Sequence, residues 1–186
     1  MVKLVGISGS LRDRSFNTSL LNAAAENLPE GVTLEKATIA GIPLYDGDLE
    51  EAEGIPAAVQ VLKEQIASCD GVILFTPEYN NSIPGVFKNA IDWASRPSAD
   101  ISRVFKGRPF AIAGASPGNF GTQLSQNAWL PVLHTLGAQT WSGKRLMVGK
   151  AGDVFTDGRL TDAAIAKRLH EFVAAFAQFV KASHPV

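Results

Sequence analysis

The chain has 186 residues, a formal net charge of −1 and 46% hydrophobic residues, the size and balance of one soluble globular domain with a sizeable core. A near-neutral surface, with a sequence pI of about 6.3, leaves no electrostatic footprint for nucleic acid or an anionic membrane. No apolar run approaches the roughly 20 residues of a membrane helix. No basic stretch with a long apolar segment opens the chain, so the cytoplasm is the expected compartment. Cys69 is the single cysteine, which excludes an intrachain disulfide; it reads as a small buried hydrophobe rather than a reactive thiol.

In chain order, Val2–Ser8 reads as a strand and Phe16–Leu28 as a helix with Leu20, Leu21, Ala24 and Leu28 on one face, ended by Pro29-Glu30-Gly31. Val32–Ile39 alternates apolar and polar residues, as a half-exposed edge strand does. A polar loop with Pro43, Asp46, Gly47 and Asp48 follows, and Pro56 opens a helix carrying Val59, Leu62, Ile66 and Cys69 at helical spacing. Gly71–Thr76 is short, apolar and β-branched, the pattern of a buried parallel strand. Val86–Ser95 predicts a short helix, stopped by Arg96-Pro97, whose Phe87, Ile91 and Trp93 suit packing on the sheet or on a second subunit. Pro109–Ala115 is a fourth strand. Thr122–Leu136 is a helix that Pro131 should kink. Ala138–Trp141 is a fifth, short strand, and Asp153–Leu160 a loop with a turn at Asp157-Gly158. Thr161 caps a last helix with Ile165, Leu169, Phe172, Val173, Phe176 and Val180 on its inner face.

No repeat, low-complexity tract or linker interrupts residues 1–186, so one domain is expected. Strands alternating with helices predict an α/β three-layer sandwich, with helices on both faces of a five-stranded parallel sheet. The short chain and the lack of G-x-G-x-x-G favour the flavodoxin-like order 2-1-3-4-5 over the six-stranded dinucleotide fold.

In such sheets ligands bind beyond the carboxyl ends of the strands. The first strand is followed by Gly9-Ser10-Leu11-Arg12-Asp13-Arg14-Ser15-Phe16-Asn17. Ser10, Ser15 and Asn17 offer hydroxyl and amide donors, Arg12 a charged fork, and the backbone near Ser15, Phe16 and Asn17 a helix N-terminus suited to an anion. Ser15 is also a good N-cap with no ligand at all. No Gly-Lys-Ser/Thr follows, so this is not a triphosphate loop, and Gly6-Ile7-Ser8-Gly9-Ser10 lacks the last glycine of a nucleophile elbow. The central strand leads into Pro77-Glu78-Tyr79-Asn80-Asn81-Ser82-Ile83-Pro84-Gly85. Backbone groups around Glu78, Tyr79 and Asn80 suit the edge of a flat heterocycle, with Tyr79 as a wall. Glu78 reads as a carboxylate fixing its own loop rather than a catalytic group, and Asn80 and Asn81 equally as turn formers. Ser116-Pro117-Gly118-Asn119-Phe120-Gly121 is a third strand-end loop, with two glycines that permit close approach. His134, His170 and His184 show neither paired spacing nor a nearby cysteine, so no metal is expected.

Gly9-Ser10-Leu11-Arg12 with Ser15 and Asn17, then Pro77-Glu78-Tyr79-Asn80, then Lys88-Asn89-Ala90-Ile91-Asp92-Trp93, resemble the NAD(P)H-dependent FMN reductase family of quinone, chromate, azo-dye and ferric reductases. The resemblance runs from residue 2 to about residue 180. It implies FMN with its phosphate on Ser10, Arg12, Ser15, Phe16 and Asn17, and its ring along Pro77, Glu78, Tyr79 and Asn80, with Ser116 and Gly118 closing the site. It further implies a homodimer or homotetramer with the flavin near a subunit interface. NADPH or NADH would donate hydride to the flavin N5 in a ping-pong cycle, and a small-molecule acceptor, most naturally a quinone, would follow on the same face. No side chain is then singled out as catalytic. Arg96 is the candidate for a nicotinamide-cofactor phosphate or an anionic acceptor, with a helix-closing surface arginine as its plain alternative. Two rivals stay open at this point: a reductase that releases reduced FMN, and a flavodoxin-type electron carrier. The carrier is disfavoured by the absence of a Thr-x-Thr-Gly-x-Thr loop and of an acidic surface.

Overall fold

A computed structural model describes residues 1–183; His184 lies outside the described residues. The sheet is built from β1 (Val2–Ser8), β2 (Val32–Ala37), β3 (Gly71–Phe75), β4 (Pro109–Ala115), β5 (Gln139–Thr140) and β6 (Leu146–Val148). The strands run parallel in the order β2-β1-β3-β4-β5, and β6 also pairs with β4. The expected order is therefore present, with the fifth position divided. β5 covers only Pro109 and Phe110 at the start of β4, and β6 covers Ala113–Ala115 at its end. Leu146–Val148 carried no strand signal of its own, because three residues are too few for a period to emerge.

Alternation along the central strands sorts the core into two layers. Leu4, Ile73, Phe75, Ala111 and Ala113 face α1 (Phe16–Glu26) and α8 (Ala163–Ser183). Val5, Ile7, Val72, Leu74, Phe110 and Ile112 face α3 (Ala57–Ala67), α4 (Gly85–Ala94) and α6 (Gln123–Thr135). Because both faces are covered, β3 and β4 are buried along their whole length, and their sequences are continuous apolar runs rather than alternating ones. α6 is helical across its full span, with Pro131 inside it.

Three sequence expectations are corrected, and one segment without an expectation proves to be structured. The segment read as a polar loop contains α2 (Gly47–Glu53), which buries nothing and so shows no apolar stripe. Asp46 caps it through Asp48 N–H at 2.9 Å, with Asp48 and Glu50 in the first turn. Between Arg96 and β4 the chain forms a 3-10 turn, Ser98–Asp100, leading into α5 (Ile101–Val104). After β6 come α7 (Ala151–Val154) and an antiparallel hairpin, β7 (Phe155–Thr156) and β8 (Arg159–Leu160), in place of a loop. Its turn is Asp157-Gly158, both at positive φ. Asp162 rather than Thr161 caps α8, accepting from Ile165 N–H at 2.8 Å, while the Thr161 hydroxyl donates to the Val154 carbonyl.

Phe87, Ile91 and Trp93 are completely buried within the chain. The apolar face of α4 is spent on its own sheet and neighbours, with Phe87 edge-on to Trp129 at 4.9 Å. A second subunit cannot reach those three side chains.

Candidate functional site

The chain leaves β1 through Gly9. A Cβ at that position would lie 2.0 Å from Phe87 Cδ1, so only glycine lets the following loop cross the start of α4 so closely. Ser15 then caps α1: its Oγ accepts from the backbone N–H of Asn17 at 3.2 Å and of Thr18 at 3.3 Å. That fills the acceptor side of the hydroxyl and leaves its proton to donate. Among the described residues the Phe16 N–H has no partner, so a donor of the first helical turn stays open toward an anion. Arg12 makes no ion pair among the described residues; its Nη2 donates to the Arg14 carbonyl at 3.2 Å and its N–H to Ser10 Oγ at 3.2 Å. This end of the site is a set of donors with one unneutralised cation, which fits a phosphate.

β3 exits into Thr76 and the Pro77–Gly85 loop. Tyr79 and Ser82 exchange backbone hydrogen bonds of 3.1 and 3.0 Å. Asn80 and Asn81 form the turn between them, both at positive φ, a conformation asparagine tolerates better than most residues. The phenol of Tyr79 stands out, about half exposed. Among the described residues the N–H groups of Glu78 and Asn80 make no hydrogen bond, so two donors remain for the carbonyls of a flat ring. The Glu78 carboxylate is turned away from its own loop: Oε2 accepts from Leu124 N–H at 2.7 Å and Ser125 N–H at 3.0 Å.

The third loop closes the other side. Ser116 donates its hydroxyl proton to the Gly121 carbonyl at 2.6 Å, while its N–H bonds to the Val148 carbonyl at 2.9 Å. Gly118 accepts from Lys150 N–H at 2.9 Å.

Nine of the residues singled out from sequence line one cleft: Ser10, Arg12, Ser15, Phe16, Asn17, Pro77, Glu78, Tyr79 and Ser116. Ala115 and Pro117 line it as well and were missed, since neither carries a polar group for a motif to display. Asn80 and Gly118 do not line this enclosed part; among the described residues the Asn80 N–H stays unpaired beside Tyr79, and the Gly118 carbonyl is bonded to the Lys150 backbone. Arg96 does not line it either. The loop lies at the start of α4 and Arg96 beyond its end, ten residues or roughly 15 Å of helical rise away. There its Nε bonds to Glu50 Oε2 at 2.8 Å, and Tyr45 OH donates to the same oxygen at 3.0 Å. The length of α4 thus parts Arg96 from the loop, and its expected contact is with a nicotinamide cofactor or an acceptor rather than with FMN.

The cleft encloses only about 70 Å³, well below the ~300–1,000 Å³ of a typical ligand pocket. It can bury one end of a mononucleotide and must leave the rest against an open face. Among the described residues no group of three or more His, Cys, Asp or Glu side chains is placed to hold a metal. Cys69 is buried, and burial pushes its thiol up to about 11.

A parallel sheet in this order, with a donor-lined cleft across three strand ends, defines a flavodoxin-like mononucleotide-binding protein. Comparison with known proteins narrows the class. The family model described as NADPH-dependent FMN reductase matches residues 2–153. An NAD(P)H-dependent FMN reductase of Pseudomonas aeruginosa is 41% identical over 181 residues, covering 97% of this chain and 96% of that protein. A quinone reductase of Escherichia coli is 35% identical over 184 residues, covering 97% and 96%. Among solved structures, FerB, a flavoenzyme NAD(P)H:(acceptor) oxidoreductase from Paracoccus denitrificans, superposes with a TM-score of 0.86 at 33% identity, covering 98% of this chain and 99% of that one. The chain belongs to the NADPH-dependent FMN reductase family.

Proposed function

We propose that the protein is an FMN-containing oxidoreductase that takes electrons from NADPH or NADH and passes them to quinones, with chromate, ferric complexes and azo compounds as further acceptors. The observation that carries this reading is the cleft itself, where the phosphate-type donors of the first loop and the free backbone donors of the second converge. The relatives named as quinone reductases support the acceptor class.

Arg12, the Ser10 and Ser15 hydroxyls and the open N–H of Phe16 would hold the phosphate. The backbone of Glu78 and Asn80 would meet the polar edge of the ring, with Tyr79, Pro77, Ser116 and Pro117 as its walls. FMN bound there supplies two-electron hydride chemistry. The chain contributes position and shape, and no side chain in the cleft is needed as an acid or base.

The shallow cleft supports a homodimer or homotetramer in which another copy completes the wall. Leu44, Tyr79, Val86, Phe120 and Leu124 are exposed and offer apolar surface for it. The whole chain would act as one FMN-binding domain in the cytoplasm; no described helix is long and apolar enough to cross a membrane. The same shallowness favours a second reading, in which reduced FMN leaves as a product. Gel filtration followed by steady-state turnover with NADH and NADPH tests both. FMN that stays with the protein, together with quinone-dependent NAD(P)H oxidation, is expected. Protein that retains no flavin and also fails to oxidise NAD(P)H when FMN is added would sink the proposal.

A further inference from the structure

The N-terminus of α6 is capped from a distance. Its own N-cap residue, Thr122, makes no side-chain capping bond; the Thr122 hydroxyl instead accepts from Gln126 Nε2 at 3.1 Å. Two donors of the first turn, Leu124 N–H and Ser125 N–H, are satisfied by Glu78, 46 and 47 positions earlier in the chain. A carboxylate there also meets the positive end of the helix. The joint is reinforced from below by a fully buried hydroxyl pair. Thr76 Oγ1 lies 2.9 Å from Ser125 Oγ, accepts from Trp129 Nε1 at 3.1 Å and contacts the Pro77 carbonyl at 2.9 Å. α6 therefore grips residues 76 to 78 through two of its side chains, Ser125 and Trp129, on one side and its first-turn backbone on the other.

We infer that Glu78 is a positioning residue: its carboxylate clamps the Pro77–Tyr79 backbone to α6 and so sets where that backbone meets the isoalloxazine ring. The inference rests on the FMN-binding reading above. Glu78 acts here through α6, and its side chain is not assigned to the phosphate. Releasing it would let the loop move while the first loop, anchored by Ser15 on α1, keeps its place. The cost should fall on the ring, which FMN and riboflavin share, and spare the phosphate, which riboflavin lacks.

The test is the affinity of the apoprotein for FMN and for riboflavin, measured by quenching of flavin fluorescence. In Glu78→Ala both affinities should fall by the same factor, roughly 10-fold for two lost charge-assisted bonds that water partly replaces, so the FMN-to-riboflavin ratio stays at the wild-type value. Glu78→Gln, which keeps an acceptor oxygen for the α6 N–H groups, should recover most of the loss. Leu124→Pro removes one donor from the other partner, at a first-turn position where the helix itself has no use for that N–H; it should reproduce the equal loss and carries the measurement if Glu78→Ala does not fold. Arg12→Ala is the contrast and should collapse the ratio. A folded Glu78→Ala or Leu124→Pro with wild-type affinity for both flavins overturns the inference, and so does a loss confined to FMN. Wild-type protein that binds neither flavin would instead remove the functional reading beneath it.

Discussion

Asn17 and Ala115 exchange both hydrogen bonds of an amide. Asn17 Nδ2 donates to the Ala115 carbonyl at 2.9 Å, and Ala115 N–H donates to Asn17 Oδ1 at 2.9 Å. β3 stops at Phe75, so the last residue of β4 has no strand beside it on that side; the side chain of Asn17 stands in for the missing peptide. One residue thereby joins the start of α1 to the exit of β4, two walls of the cleft.

Asn17→Ala should leave a buried N–H and a buried carbonyl unpaired and lower stability by roughly 1–3 kcal/mol. Asn17→Asp keeps the acceptor, loses the donor and buries a charge, so it should be at least as damaging. Urea denaturation of the three proteins measures this. Equal midpoints would show that the pair contributes nothing.

Arg12 is the cation of the cleft with no carboxylate partner among the described residues. Arg12→Ala should leave the fold intact and weaken FMN binding by roughly 1.5–3 kcal/mol, or about 10- to 150-fold. The loss should shrink as salt rises, because the contact is charged and open to solvent. Fluorescence titration at two ionic strengths is the check, and unchanged FMN affinity removes Arg12 from the site.

Among the described residues, Arg108 donates to four backbone carbonyls and to no carboxylate. Its Nε reaches Val104 at 2.9 Å, Nη2 reaches Ala67 and Arg103 at 3.1 Å each, and Nη1 bonds to Cys69. Ala67 ends α3 and Val104 ends α5, so the guanidinium sits at the negative ends of two helices. Arg108→Ala should cost roughly 2–3 kcal/mol, and Arg108→Lys should restore little, since one ammonium cannot reproduce the planar fork. Thermal unfolding compares them, and a lysine variant as stable as the wild type would contradict the account.

Glu50 couples to pH with a definite sign. The Arg96 guanidinium, bonded to it, holds its carboxyl below the ordinary value of 4.5, with the Tyr45 hydroxyl adding to the effect. A carboxyl lowered in the folded state contributes stability above 4.5 and loses it as pH falls through the folded value. The stability difference between wild type and Glu50→Gln should therefore be flat at neutral pH and narrow only below about 4.5. A difference that instead grows toward acid would refute the assignment.

Assembly is tested by sedimentation. A mass of at least twice the 19.8 kDa chain is expected, and Phe120→Asp or Leu44→Asp, which places a charge on an exposed apolar side chain, should shift the equilibrium toward monomer. A fully active monomer at the assay concentration defeats the proposal.

The sheet order, and the stretch of residues that supplies the donor-rich end of the cleft, were legible in the amino-acid sequence by itself. Buried parallel strands appear as apolar runs, and Ser10, Arg12, Ser15, Phe16 and Asn17 form one continuous stretch whose local conformation already points its donors at a strand end. The Pro77–Gly85 loop was legible in position, with Pro77, Glu78 and Tyr79 lining the cleft, but not in detail. Asn80 and Gly118 lie next to cleft residues in the chain but do not line its enclosed part. Arg96 follows the loop by only a short stretch of sequence, but the ten-residue α4 between them carries it to the far end of that helix. What Glu78 holds, why Asn17 must be an amide and where Arg96 finds its partner were decided only by the tertiary structure. Each of these contacts joins segments 46 to 98 positions apart, and no local periodicity encodes which distant backbone or side chain a polar group will meet.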